Sequence, residues 1–188
     1  MFAGHLDLTQ PLFWTVPDVL SREECALYID KMKGSRDAEI ATITGREGEV
    51  VDQQVRSNTR LMYDDPAWAA TLFTRLSSQL PKVLMSRRLA NVNERIRLYR
   101  YGPGQRHGSH WDTPVELADK RETLLTLVLY LNDDFEGGAT FFDELKKTIT
   151  PTPGLALLFQ HRVLHTAEPV TAGEKFVMRS DVFYYPAP

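Results

Sequence analysis

Residues 106–114 read RHGSHWDTP, and His110 and Asp112 stand one residue apart within them. In an extended chain such residues project to the same side while the one between, Trp111, projects to the other. An imidazole and a carboxylate at this spacing can therefore converge on one cation. The pair is common by chance, so a third donor is needed. His161 and His165 are the candidates, with His165 nearer the turn at EPVTAGEK. Two histidines and a carboxylate on one side of an ion leave coordination positions open, an arrangement that serves both non-haem Fe(II) centres and catalytic zinc. His107 would share a helical face with His110, but Pro103, Gly104 and Gly108 argue against a helix here. It stays outside the metal set.

The elements that must carry these donors are strands. From residue 94 onward, ERIRLYRYGPG, TLLTLVLYLND, ATFFDEL, KTITPTPGLALLFQ, RVLHTAEPV and EKFVMRSDVFYY are short, β-branched or aromatic, and bounded by Gly, Pro, Asn or Asp, the pattern of a sandwich or barrel. In TLLTLVLYLN one face is Leu125, Leu127, Leu129 and Leu131, which asks for a packed partner such as the N-terminal helices. The other is Thr126, Val128, Tyr130 and Asn132, apolar enough for the inside yet carrying groups that must hydrogen-bond there, and it reads as a pocket wall. In KFVMRSDVF, Lys175, Val177, Arg179, Asp181 and Phe183 share a face. If that strand is central, it turns cations inward, where each needs an anion.

The first third reads as a mixed scaffold. PLFWTV and AEIATIT suit strands, and SREECALYIDKMKG suits a helix with Ser21 and Glu24 as a capping box and Gly34 as its stop. A second helix begins at DDPAWAATLF, with Asp65 as cap and Pro66 in the first turn. Residues 45–60 are polar and form a loop or mobile hairpin.

At 188 residues and 43% hydrophobic, the chain is expected to be one domain, residues 1–188, with supporting strands and helices over about 1–93 and a β core over about 94–185. A net charge of −3 and a pI near 6.0 exert no global pull toward nucleic acid or an anionic membrane. No run approaches the roughly 20 apolar residues of a membrane span, and no signal segment is visible. The expectation is a soluble, cytoplasmic protein. Cys25, the one cysteine, is expected to be a buried thiol.

Taken together, RLYRYGPGQRHGSHWD, LLTLVLYLNDDFEGGATFF and HTAEPVTAGEKFVMRSDVFY resemble, in order and spacing, the Fe(II)- and 2-oxoglutarate-dependent dioxygenases of the prolyl 4-hydroxylase type. The resemblance spans roughly residues 94–185. It implies an α+β, mainly β fold: a double-stranded β-helix, the jelly roll of the cupins, supported by N-terminal helices. It also implies His110, Asp112 and His165 as iron ligands, and Lys175 as the cation for the distal carboxylate of 2-oxoglutarate, with Tyr130 on the same carboxylate. Tyr101 falls near the metal end, and Arg179 could assist Lys175 or form a structural ion pair with Asp181 or another acid. Arg97, Tyr99 and His107 are expected on the substrate side, where Arg97 could read a carboxylate. Gly137 and Gly138 match a family turn, and residues 45–60 a segment that closes over substrate. The implied chemistry is hydroxylation of an unactivated C–H bond of a prolyl residue or a small amino-acid-like molecule. It consumes O2 and converts 2-oxoglutarate to succinate and CO2, with ascorbate as reductant. Halogenating relatives lack a carboxylate at the position of Asp112, so its presence favours hydroxylation. The rivals are a zinc-dependent hydrolase on the same three ligands and a non-catalytic cupin-like binding module. The sequence does not speak to oligomeric state.

Overall fold

Strand β1 (Phe13–Val16) leads into helix α1 (Arg22–Gly34), and the capping box closes as expected. The Ser21 hydroxyl accepts from the Glu24 amide while the Glu24 carboxylate accepts from the Ser21 amide. The computed structural model describes residues 6–45 and 48–186. Short strands β2 (Glu39–Ile40), β3 (Ile43–Gly45) and β4 (Gly48–Val50) precede β5 (Thr59–Asp64). Asp65 then caps α2 (Pro66–Leu76), its carboxylate accepting from the Trp68 amide at 2.9 Å. Everything after α2 is strand and turn: β6 (Val83–Leu84), β7 (Arg87–Val92), β8 (Arg95–Tyr101), β9 (His107–His110), β10 (Glu122–Tyr130), β11 (Phe135–Gly137), β12 (Thr140–Phe142), β13 (Lys147–Ile149), β14 (Ala156–Gln160), β15 (His165–Ala167), β16 (Val170–Gly173) and β17 (Lys175–Tyr185).

A nine-stranded sheet runs β1-β14-β10-β17-β8-β5-β2, with β7 also on β17 and β6 on β7. A four-stranded sheet runs β13-β12-β15-β9, and β11-β16 and β3-β4 form separate pairs. The long strand β17 takes β10 along one edge and shares the other between β8, at residues 175–179, and β7, at residues 182–185. That central position puts both of its faces inside, as its mixed sequence requires.

Two apolar clusters follow from the alternation of side chains. Leu125, Leu127, Leu129 and Leu131 of β10, with Phe176, Met178 and Val182 of β17, pack beneath Tyr28 and Met32 of α1 and Leu72 and Leu76 of α2. Cys25 is buried in this cluster as a free thiol. The opposite faces contribute Tyr130 and Val177 to a second cluster with Tyr99, Tyr101, Phe142 and Phe159, and the polar residues of the site stand among these.

Three local expectations change. AEIATIT forms two strands, β2 and β3, on different sheets, because Ala41 and Thr42 leave the ladder between them. Residues 83–92, not read as strand, form the β6–β7 pair and extend the main sheet, so its supporting and catalytic parts interlock across residue 93. Within 45–60 the chain makes β4 and then turns inward at Arg56, which pairs with His107 in an isolated bridge; residues 46–47 of this loop lie outside the described residues.

Candidate active site

His110 closes β9 and His165 opens β15, and the two are direct antiparallel partners. Their rings lie 4.2 Å apart between centroids. Asp112 follows His110 by two residues and is buried while Trp111 is exposed, the alternation expected of an extended segment. The candidate donor atoms of His110, Asp112 and His165 all lie within 4.8 Å of one another.

Each ring is oriented by the same device. His110 Nδ1 faces Gly108 O at 2.8 Å, and His165 Nδ1 faces Val163 O at 3.0 Å. A carbonyl only accepts, so Nδ1 carries the proton in both rings and Nε2 keeps its lone pair. Those two Nε2 atoms each lie 3.9 Å from an Asp112 oxygen. Burial, reinforced by neighbouring His165, pushes His110 down to about 3, and burial pushes His165 down as well. Both imidazoles are neutral, the form that binds metal. Burial alone would raise the Asp112 carboxyl, but the Arg179 guanidinium and the adjacent histidines hold it well below the usual carboxylate range. The donor set thus suits a divalent iron: two neutral imidazoles, one ionised carboxylate, and ring protons turned away.

Asp112 is itself held from two sides. Arg179 Nη2 donates to Oδ1 at 2.8 Å and Thr126 Oγ1 donates to Oδ2. Thr126 also meets His161 Nδ1 at 2.8 Å. A hydroxyl has one proton, already given to the carboxylate, so His161 Nδ1–H must donate to Thr126. His161, a candidate ligand by sequence, is therefore buried behind the site as a support. Thr126→Val should lower divalent metal affinity about 10- to 100-fold, the usual cost of losing a partner of a ligand, in a titration with Co(II).

Around the three donors lies a cavity lined by Arg56, Tyr99, Tyr101, His107, Thr126, Val128, Thr140, Phe159, Lys175, Val177 and Arg179, among others. Thr126 and Val128 were expected here from the alternation of β10. Asn132, read on the same face, instead ties strand ends together, accepting from the Phe176 amide at 2.7 Å. Lys175 is buried, its Nζ donating to Gly138 O at 2.6 Å and lying 5.4 Å and 5.6 Å from the ring centroids of Tyr101 and Tyr130. Among the described residues it forms no ion pair, and burial pushes it from 10.5 down to about 7. The Tyr130 hydroxyl meets Thr140 Oγ1 at 2.7 Å. Gly138, with φ +65°, must lack a side chain: a Cβ there would stand 3.2 Å from Lys175 Cδ and 3.0 Å from Phe135.

Of the two roles open to Arg179, the structure shows the ion pair with Asp181 and another acid, not assistance to Lys175. Arg179 spans Asp112 and Asp181, 3.2 Å from Asp181 Oδ1. Arg97, open to reading a substrate carboxylate or to serving the scaffold, is committed to Asp181 Oδ2 at 2.9 Å, a scaffold role. Tyr99 and His107 do line the cavity, and the His107 ring stacks on His110 at 3.5 Å. Burial, with neighbouring His110, pushes His107 far down, leaving it neutral. Arg56 and Thr140 were not singled out from sequence. Arg56 sits in a polar segment that gives no local sign of turning inward.

The strands thus bring two histidines and a carboxylate to the interior beside a buried lysine, a donor set able to hold one metal ion with coordination positions left open. Residues 96–180 match the model of the 2OG-Fe(II) oxygenase superfamily. A putative prolyl 4-hydroxylase of Acanthamoeba polyphaga mimivirus is 29% identical over 102 residues, 45% of this chain and 42% of that protein. The chain thus spans less than half the length of that relative. A PKHD-type hydroxylase of Klebsiella pneumoniae is 27% identical over 175 residues, covering 86% of this chain and 74% of its own. The crystal structure of viral collagen prolyl hydroxylase from Paramecium Bursaria Chlorella virus-1, in its 2OG complex, superposes with a TM-score of 0.65 at 22% identity, covering 93% of this chain and 97% of that one. That likeness confirms the jelly-roll fold.

Proposed function

We propose that this protein is an Fe(II)- and 2-oxoglutarate-dependent oxygenase that hydroxylates a C–H bond, with His110, Asp112 and His165 as the iron ligands. The observation that carries the reading is the pairing, in one cavity, of this donor set with Lys175, a buried amine that, among the described residues, donates to a carbonyl and has no carboxylate within ion-pair distance, Glu168 acting on it only from farther off. Leaving a charge unpaired in a protein interior is costly, and a dicarboxylate that reaches from the metal to Lys175 removes that cost. A zinc hydrolase would leave Lys175 without a function.

Iron and 2-oxoglutarate, when bound, supply the oxidative chemistry: decarboxylation to succinate and CO2 coupled to C–H hydroxylation by O2. The protein's own part is placement. Lys175 and the Tyr130 hydroxyl receive the distal carboxylate, Tyr101 walls the same end, and Val128, Val177 and Phe159 keep water from it. The protons of His110 and His165 stay on Nδ1, donated to the Gly108 and Val163 carbonyls throughout, and none of these residues acts as a general base. Ascorbate, as reductant, maintains the ferrous state. The relatives' names point to a prolyl residue; a small amino-acid-like molecule is the other substrate class, and Tyr99 and His107 face the space either would occupy.

The test is metal-dependent turnover in air with ascorbate. Fe(II) is expected to give succinate and CO2 in equal amounts from 2-oxoglutarate, and Zn(II) in its place to give none. Absence of succinate together with absence of 2-oxoglutarate binding in an anaerobic titration would overturn the proposal.

A further inference from the structure

Arg56 is 7% exposed and lines the cavity of the candidate metal centre. Its Nε donates to Asn58 Oδ1 at 2.9 Å and its Nη1 to Thr42 O at 3.3 Å, and its guanidinium carbon lies 4.8 Å from the Tyr99 ring centroid. Among the described residues no carboxylate pairs with it. The acids nearby are taken: Glu49 by Arg60, Asp112 by Arg179, and Asp181 by Arg97 and Arg179. Arginine keeps its proton in any protein environment, so here a permanent charge is held largely out of water, its acceptors among the described residues neutral and Glu49, bonded to Arg60, acting on it only at longer range.

Charge balance extends the point. Arg97 and Asp181 cancel, and among the residues that line the cavity Arg56, Lys175 and Arg179 face one carboxylate, that of Asp112, while Glu49 and Glu168 act only from outside the lining. A divalent iron and dianionic 2-oxoglutarate add nothing net, so the loaded cavity keeps a surplus of two positive charges. The local potential is visible in Tyr99. Burial pushes its phenol up, yet Arg56, Arg179 and Arg97 together pull it down to about 8. This corner of the cavity is built to hold an anion. The backbone bridge from Arg56 to His107, whose ring stacks on His110, places that corner next to the metal ligands.

Resting on the oxygenase reading above, we propose that the prime substrate is a small free carboxylic acid whose carboxylate is received by Arg56 with the Tyr99 hydroxyl beside it. The hydroxylated carbon then belongs to an amino-acid-like molecule and not to an internal residue of a peptide. A blocked prolyl peptide offers this corner a neutral amide carbonyl and leaves the charge surplus in place.

The probes are L-proline, L-leucine and L-lysine, each beside its primary amide, and a proline-containing peptide blocked at both ends and free of acidic side chains. Binding is read by anaerobic equilibrium dialysis on the protein loaded with Fe(II) and 2-oxoglutarate, and acceleration of succinate formation is read in air. At least one free acid is expected to bind and accelerate, with its amide weaker on the order of 100-fold, the cost of removing one partner of a desolvated charge pair. Arg56→Gln is expected to weaken that acid by a similar factor and to abolish the preference for acid over amide. Arg56→Lys, which keeps the charge and loses the two-pronged contact, should show an intermediate loss and serves if the glutamine variant fails to fold. The inference is overturned if no acid exceeds its amide, if the blocked peptide accelerates as well as any acid, or if Arg56→Gln weakens 2-oxoglutarate itself tenfold. A wild-type protein that neither binds 2-oxoglutarate nor forms succinate overturns the oxygenase reading, and this inference with it.

Discussion

Lys175→Met is expected to make the protein more stable and unable to retain 2-oxoglutarate. The two effects share one cause. In the ligand-free protein the ammonium is buried against Gly138 O and two aromatic rings, and burial pushes its titration from 10.5 down to about 7. An unfolded chain therefore binds this proton more tightly than the folded one. The cost to stability is fully present below pH 7 and fades as pH rises toward 10.5, because in that window the unfolded state holds protons that the folded state has released. Methionine fills similar volume without the charge, so at or below neutral pH the variant should gain on the order of 1–4 kcal/mol, seen as a higher urea midpoint. The advantage should vanish in alkaline buffer. For 2-oxoglutarate the sign reverses. The carboxylate needs the charged amine, so wild-type affinity should fall as pH rises above about 7, by up to about tenfold per unit. The variant should bind about 100- to 1000-fold more weakly than the wild type near neutrality, with little dependence on pH. Calorimetric titration of 2-oxoglutarate across pH 6–9 reads both. A variant no more stable, with affinity retained, would remove Lys175 from the cosubstrate site.

Lys175 also shows why part of the site was legible in the sequence. Side chains alternate strictly along a strand, so a lysine that shares a face with Val177 in a central strand must point inward, and the same logic sends Thr126 and Val128 to the cavity and Leu125 and Leu127 to the helices. Caps are local too: Ser21, Glu24 and Asp65 were readable because their hydrogen bonds span three residues. What stayed hidden depends on partners distant in the chain. The pair of Arg179 with Asp181 is local to β17 and readable from their spacing, but Arg97's bond to Asp181 and Arg179's bond to Asp112 arise only when β8, β17 and the segment after β9 come together. Arg56 lies in a polar stretch whose composition matches an exposed loop, and its burial follows from the bridge to His107, 51 residues on. His161 and His165 differ by four residues in similar surroundings. Register against β9 decides between them, since His165 is the one placed opposite His110.

Asp112→Asn should abolish succinate formation and also destabilise the metal-free protein, whereas His110→Ala should abolish turnover with little loss of metal-free stability. The contrast follows from what each side chain does before any ion is present. His110 is partly exposed, at the end of an edge strand, and its ring makes one hydrogen bond, to a carbonyl two residues away. Removing it deletes a ligand, that bond and the ring contacts with His107 and His165, but leaves no buried charge without its partner. Asp112 is buried and carries one of the two negative charges that hold Arg179. Asparagine keeps the shape and can still accept from Thr126, but it leaves the guanidinium with Asp181 alone, which Arg97 already shares. Breaking a buried pair outright costs about 3–5 kcal/mol; with Asp181 retained, a loss of about 1–3 kcal/mol is expected, within the range for leaving a buried polar group poorly satisfied. The sign with pH follows from the depressed Asp112 carboxyl. Its contribution is in place above the ordinary carboxylate range and is lost as acid protonates it, so wild type and Asp112→Asn should converge in stability at low pH. Urea denaturation of the metal-free proteins at pH 7 and in acid, beside Co(II) titration of the same samples, separates the two roles. Equal stability of Asp112→Asn and wild type at pH 7 would mean that Asp181 alone suffices for Arg179, and that Asp112 serves only the metal.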